Sequence, residues 1–511
     1  MAERYLLGLD VGGGGGRCLV VACSSGALTT AFQAWSFPAA PGAGPGAVDA
    51  DLEAIWRALA AAAATALSRA GARPGEVAGI AATAMRLGAA VLDEGGEPLY
   101  AAPNRDARAA AFGLEIAAEH GAGLLASTGR WPLQTSAAAR LRWLAARDPA
   151  GFARARALLA LNDWVAFRLC GERATDFSQA GETFLFDLAA RAWAWEWIDR
   201  LGLPRRIFPE VRPAGERLGG LRAEAAQALG LAAGTPVAVG GGDTPCGLLG
   251  VAALHAGAAA AIAGTTAPVE LVLDRFPGDP DGRLWAGLHV VPGLYTLESN
   301  AGLVGESLDW LAQLLHPGVE EPVAALLAEA EAAPAGARGF LSTFGARIHD
   351  GRVPFHPLGA LLLPRFRVPD GAAARSHLAR AVLEGVACAL RANLEQLEGV
   401  AGGASGALRL GGGLSRSAFF AQLLADALGL PVEVPPAPEA SALGAALCAG
   451  VGAGLFEDLA AGAAALVGKS RSFDPDPERA RRYADLYAGW QRLRAAQEVP
   501  EAIARDLLAR G

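Results

Sequence analysis

Four apolar runs in this 511-residue chain end in small turns built from glycine. Residues 5–10 lead into glycines 12–16, and residues 235–240 close on Gly240-Gly241-Gly242-Asp243. Residues 259–262 precede Gly264-Thr265-Thr266, and residues 408–410 precede Gly411-Gly412-Gly413. An extended segment stopped by a turn without Cβ atoms either reverses as a hairpin or brings bare amide groups close to an anion. For any one turn alone the hairpin is the better reading. Four such turns, spread over two halves, make a fold of strands and crossovers the frame for everything else.

Between the turns the pattern is helical. Residues 48–70 repeat Leu52, Ile55, Trp56, Leu59 and Ala63 at spacings of three and four. Residues 141–146, 164–169, 193–201, 376–397, 419–428 and 440–449 read as further helices. Residues 17–22, 77–82, 89–92, 269–273 and 432–434 read as strands, and 474–508 as a polar, Arg-rich helical tail. The expected fold class is mixed α/β, with a strand and glycine turn echoed once per half. Trp131, Trp143, Trp164, Trp193 and Trp195 read as core and interdomain packing.

Hydrophobic residues are 52% and charged residues 19% of the chain, enough for sizeable cores. The net charge of −8 argues against nucleic acid as a partner. Six scattered cysteines without a CxxC pair suggest neither a disulfide framework nor zinc, which fits a cytoplasmic setting. No secretory leader reads ahead of Tyr5. The uncharged stretch 244–269 is long enough to span a bilayer. Its Pro245, His255, Thr265 and Thr266 in an Ala/Gly background favour buried strands joined by tight turns, and no membrane partner is expected.

Familiar nucleotide motifs fail on spacing. A GxGxxG started at Gly12, Gly240 or Gly411 ends on Arg17, Pro245 or Arg416. Five residues separate Gly462 from Gly468-Lys469-Ser470, where a P-loop needs four, and Lys469 is the only lysine. A Walker or protein-kinase lysine is therefore excluded. What remains is a carboxylate beside glycine turns: Asp10 at the end of the first strand, and Asp243 after three glycines.

In this setting the ordered segments resemble the FGGY carbohydrate kinases of the actin/hexokinase/Hsp70 superfamily. Leu7-Gly8-Leu9-Asp10-Val11-Gly12 with Arg17 resembles the first phosphate loop. Gly240-Gly241-Gly242-Asp243 resembles the catalytic-aspartate turn, and Gly264-Thr265-Thr266 the second phosphate loop. Residues 377–387 resemble the signature helix. Gly411-Gly412-Gly413 with Ser415, Ser417, Gln422, Ala425 and Asp426 resembles the adenine-side loop, and residues 439–446 the helix after it. Met85-Arg86, Asn104-Arg105-Asp106-Ala107-Arg108 and Asn162-Asp163-Trp164 resemble the autoinducer-2 kinase branch, with pentulose kinases nearby. Gly13 departs from the family's Thr, losing a hydroxyl and adding loop entropy. Phe344-Gly345-Ala346-Arg347 replaces a Gly-Glu-Arg turn, and Leu363-Pro364 a glycine.

The resemblance implies two actin-like domains around an interdomain cleft. They would cover residues 1–247 (sugar-binding) and 248–460 (nucleotide-binding), with 461–511 a helical tail packing back on the first. It implies ATP as co-substrate, and Mg²⁺ at Asp10 and Asp243 through water. Asp243 would be the catalytic base. Gly12, Gly13, Arg17, Gly264, Thr265, Thr266, Gly412, Gly413 and Ser417 would hold the nucleotide. Arg86, Asp106 and Thr244 would hold the sugar with Met85, although Met85 by itself reads as core packing. The acceptor would be a pentulose such as xylulose or an autoinducer-2-like five-carbon compound. A glycerol- or erythritol-type polyol kinase and a catalytically impaired nucleotide-binding regulator stay open, as does a homodimer.

Overall fold

The computed structural model describes residues 3–503 apart from 45, 134, 354–358, 365–370 and 498; residues 504–508 of the expected tail lie outside. The chain divides into two compact units. Unit 1 comprises Met1–Ala256, Val272–Leu297 and Glu439–Gly468; unit 2 comprises Gly257–Leu271, Glu298–Pro438 and Lys469–Gly511.

Unit 1 is organised on the strand Val77–Ala84, every residue of which is buried. Such a continuous apolar run suits a strand covered on both faces. Tyr5–Val11 pairs parallel to it and antiparallel to Gly15–Ala22, which pairs in turn with Leu28–Ala34. On its other edge Val77–Ala84 pairs parallel with Pro236–Ala238 and with Gly241–Gly242. The helix Leu52–Ala70 starts where the Asp51 carboxylate accepts Ala54 N–H and stops at Gly71 with φ 65°. The helix Ala440–Gly452 also belongs to this unit. A Cβ on Gly8 would stand 2.0 Å from the Ala442 carbonyl oxygen, so its small residues press directly on the first strand.

Unit 2 repeats the arrangement. Ala259–Ile262 pairs antiparallel with Pro268–Leu273 and parallel with Leu408–Gly411. Val432–Val434 and Arg471–Phe473 continue the sheet. In both units the strand that leads into a glycine turn therefore has an antiparallel neighbour on one side and a parallel one on the other. The helices Gly371–Ala401, Ala418–Leu428 and Pro477–Ala496 belong to this unit.

One expectation needs correction. The apolar stretch 244–269 is not all strand: it opens within the helix Asp243–Gly250, and only later forms Ala259–Ile262. Its Ala and Gly content suits close helix packing, since a Cβ on Gly250 would meet Ala440 oxygen at 2.0 Å. No helix among the described residues is long and apolar enough to cross a membrane. The compact units are not consecutive blocks of chain, because residues 272–297 and 439–468 belong to unit 1. From Lys469 onward the tail belongs to unit 2. Arg479 Nε pairs with Asp426, Tyr483 Oη donates to Glu384 at 2.9 Å, and Trp490 Nε1 donates to Ser342 oxygen at 3.0 Å.

Candidate functional site

In unit 1, Asp10 stands opposite Arg17 in the antiparallel register of the first two strands. Arg17 Nη1 lies 3.0 Å from Glu439 Oε2 and 3.7 Å from Asp10 Oδ2. Its guanidinium also rests 5.4 Å from the Phe32 ring centroid. Burial pushes the Asp10 carboxyl up to about 7; Arg17 opposes the rise, while Asp243 and Glu439 add to it.

The central strand carries the geometry from Asp10 to Asp243. Thr83 is the register partner of Asp10 on one edge and of Gly241 on the other. Asp10 and Gly241 are thus two strand spacings apart, about 10 Å. A Cβ on Gly240 would fall 1.7 Å from Ala82 oxygen, which leaves room for glycine alone. Thr83 Oγ1 donates to Gly241 oxygen at 2.8 Å, and Gly242 N donates to Ser178 Oγ at 3.0 Å. Asp243 follows as the first residue of its helix. Its Oδ1 accepts Thr244 N–H at 2.7 Å and lies 3.6 Å from Arg86 Nε. The side chain is 36% exposed. The carboxylate sits on the first turn of its helix, where the helix dipole favours negative charge.

Arg86 continues into the interior. Its Nη1 lies 3.4 Å from Glu182 Oε1, and Glu182 in turn takes both Nη1 and Nη2 of Arg130. Arg130 is buried between the Phe184 and Trp285 rings, at 5.5 and 5.4 Å, and its Nε donates to Ala286 oxygen. Alternating charges thus run Arg130, Glu182, Arg86, Asp243.

Two expected sugar ligands are placed otherwise. Met85 is buried in the unit 1 core. Asp106 is fully buried, and its oxygens accept from Tyr100 Oη at 2.7 Å, Arg108 Nε at 2.8 Å and Val48 N at 3.1 Å. A carboxylate so occupied holds its own loop together and has no acceptor left for a sugar hydroxyl. Thr244 is buried beside Asp243.

The first glycine loop closes through Gly12 N donating to Gly15 oxygen at 2.9 Å. Gly15 and Gly16 are required by packing: a Cβ there would come within 2.3 Å of the Phe32 ring and 2.6 Å of the Trp35 ring. At Gly13 and Gly14 a Cβ would meet nothing within 4 Å. Only these two leave their surroundings open.

Unit 2 gathers its own set. Gly264 N donates to Thr266 oxygen at 3.0 Å, and Gly305 N, in the first turn of the helix Val304–Leu315, donates to Thr265 oxygen at 3.1 Å. Gly412, with φ 85°, comes so close to Ala263 that a Cβ would lie 2.5 Å from its oxygen. The Gly264-Thr265-Thr266 and Gly412-Gly413 turns are therefore neighbours. Ser417 caps the helix Ala418–Leu428, its Oγ accepting Phe420 N–H at 3.2 Å. Among the described residues no group of three or more His, Cys, Asp or Glu side chains is placed to hold a metal ion.

Sequence reasoning missed Glu439, Glu182, Arg130 and Ser178 as members of the site. Glu439 at least heads a segment that carries the family resemblance. The other three have no local signal, because only the fold brings them beside Arg86 and the Asp243 turn.

Residues 5–250 match the family model described as the FGGY family of carbohydrate kinases, N-terminal domain, and residues 258–453 match the C-terminal domain. An autoinducer-2 kinase of Klebsiella pneumoniae is 33% identical over 433 residues, 83% of this chain and 81% of the relative. The Escherichia coli K12 autoinducer-2 kinase is 33% identical over 430 residues, 82% and 80% of the two chains. Among solved structures, the xylulose kinase from Rhodospirillum rubrum superposes with TM-score 0.79 at 28% identity, over 96% of this chain and 99% of the other. The gluconate kinase from Lactobacillus acidophilus superposes with TM-score 0.82 at 22% identity, over 97% and 98%, a likeness of fold alone.

Proposed function

This chain belongs to the FGGY family of carbohydrate kinases, with its two-domain, actin-like α/β fold, and is an ATP-dependent sugar phosphotransferase; we propose that its acceptor is a small open-chain sugar, either a pentulose such as xylulose or a five-carbon compound of autoinducer-2 type. The observation that carries the chemistry is Asp243, partly exposed at a helix start and 3.6 Å from the Arg86 guanidinium. In this reading an Asp243 carboxylate oxygen takes the proton of the attacking hydroxyl as its oxygen bonds to the γ-phosphorus and the bond to ADP breaks. Arg86 orients that hydroxyl or the neighbouring oxygen of the acceptor. Gly12, Gly13 and Gly264 shape the turns that receive the phosphates, and the hydroxyls of Thr265 and Thr266, with Arg17, hold phosphate oxygens. Gly412 and Gly413 line the adenine end, with Ser417 acting through its helix cap.

The donor set fits Mg²⁺ held by Asp10 and Asp243 through water: both offer hard carboxylate oxygens, and a cation would relieve the burial that disfavours the Asp10 charge. Bound there, Mg²⁺ would neutralise phosphate charge. The free thiols of all six cysteines suit a cytoplasmic setting.

A screen of ketoses and polyols for sugar-dependent ADP formation tests the acceptor. Turnover with a five-carbon ketose or an autoinducer-2-type compound is expected. Turnover confined to glycerol or erythritol would move the reading to a polyol kinase.

A further inference from the structure

We propose that Glu182, held by the buried Arg130, sets the charge class of the acceptor, making the site select uncharged sugars over sugar acids. The inference rests on the kinase reading above, with Asp243 and Arg86 at the acceptor.

A lone arginine beside the reacting hydroxyl would attract an anionic substrate, because a guanidinium pairs strongly with a carboxylate. Arg86 is not alone. Its Nη1 faces Glu182 at 3.4 Å and its Nε faces Asp243 at 3.6 Å. Arg130 does not release Glu182 by neutralising it from outside; it locks the carboxylate in place, with both Nη atoms on the two oxygens. Glu182 is 4% exposed and Arg130 2%. The pair therefore works in a medium of low dielectric, where charges are felt strongly.

The four charges sum to zero. The nearby Arg17 is likewise claimed by Asp10 and Glu439. Each of these three guanidiniums already faces a carboxylate. An aldonate would bring a further negative charge to a set whose three guanidiniums each already face a carboxylate, and like charges so placed are costly. An uncharged ketose brings only hydroxyl and carbonyl dipoles, which Arg86 and Asp243 can meet as donor and acceptor.

The test compares kcat/KM for an uncharged ketose, D-xylulose, and an aldonate, D-gluconate. The wild type is expected to favour the ketose by at least about tenfold. Glu182→Gln, nearly isosteric, leaves Arg130 and Arg86 with one carboxylate fewer. It should raise the gluconate-to-xylulose ratio by about tenfold or more, whatever happens to overall activity. A merely structural role would scale both substrates together and leave the ratio fixed, which would overturn the inference. Should Glu182→Gln fail to fold, Arg86→Gln carries the test with the opposite sign: the ratio must fall further, and a ratio that stays or rises would overturn the inference. A wild type that prefers gluconate overturns it while leaving the kinase reading intact. A wild type that phosphorylates neither sugar class overturns the acceptor reading, and this inference with it.

Discussion

Asp10 is under two opposed demands. Ligand binding wants an ionised carboxylate, but burial holds its carboxyl at about 7 in the folded chain, against 3.8 ordinarily. A folded-state pKa above the unfolded value contributes stability that is fully present below about pH 4 and lost as pH rises through 7. Removing the charge should therefore stabilise the ligand-free protein where the charge is present. Asp10→Asn is expected to unfold at higher denaturant concentration than wild type at pH 8, with the gap closing toward pH 4. Denaturant titrations at the two pH values check this, and an equal gap at both would contradict it. Arg86 tests the acceptor side. Replacing it with Ala removes one polar partner, a loss of about 1–3 kcal/mol. Arg86→Ala should raise KM for the sugar ten- to a hundredfold and leave KM for ATP nearly unchanged in steady-state kinetics.

At the scale of elements, the strands that lead into glycine turns were legible because their apolar runs are short and sharply stopped. Tyr5–Val11, Ala259–Ile262 and Leu408–Gly411 fall where the sequence places them. The helix Ala110–Thr128 escaped notice. Gly113, Gly121 and Gly123 dilute its periodicity, and two of them are there to seat rings: a Cβ would lie 2.6 Å from Trp131 at Gly121 and 2.5 Å from Trp197 at Gly123. The site was legible in the same uneven way. Asp10, Arg17, Asp243 and the unit 2 turns carry local patterns, whereas Glu182 and Arg130 depend on contacts across 52 residues of chain. Asp106 misled because a charged loop residue looks the same in sequence whether it faces ligand or is fully satisfied inside. The glycines themselves divide by what surrounds them. Gly8→Ala would drive a Cβ to 2.0 Å from Ala442 oxygen and should cost about 1–3 kcal/mol or more, read as a lowered Tm. Gly14→Ala, where a Cβ meets nothing, should stay within about 0.5 kcal/mol of wild type in the same melts.

For the whole molecule, the family assignment makes ATP the co-substrate. A ligand that binds only the folded chain stabilises it by about 2.7 kcal/mol at a hundredfold excess over Kd. Mg·ATP should accordingly raise the melting temperature, and NAD should not. The central claim is that Asp243 accepts the proton in phosphoryl transfer to a sugar. Its most direct test is sugar-dependent ADP formation by purified wild type and Asp243→Asn, beside their melting curves with Mg·ATP. The variant keeps shape but cannot take the proton. It is predicted to fold normally and still bind Mg·ATP, while kcat falls at least about 100-fold. Near-normal turnover by Asp243→Asn would contradict the account.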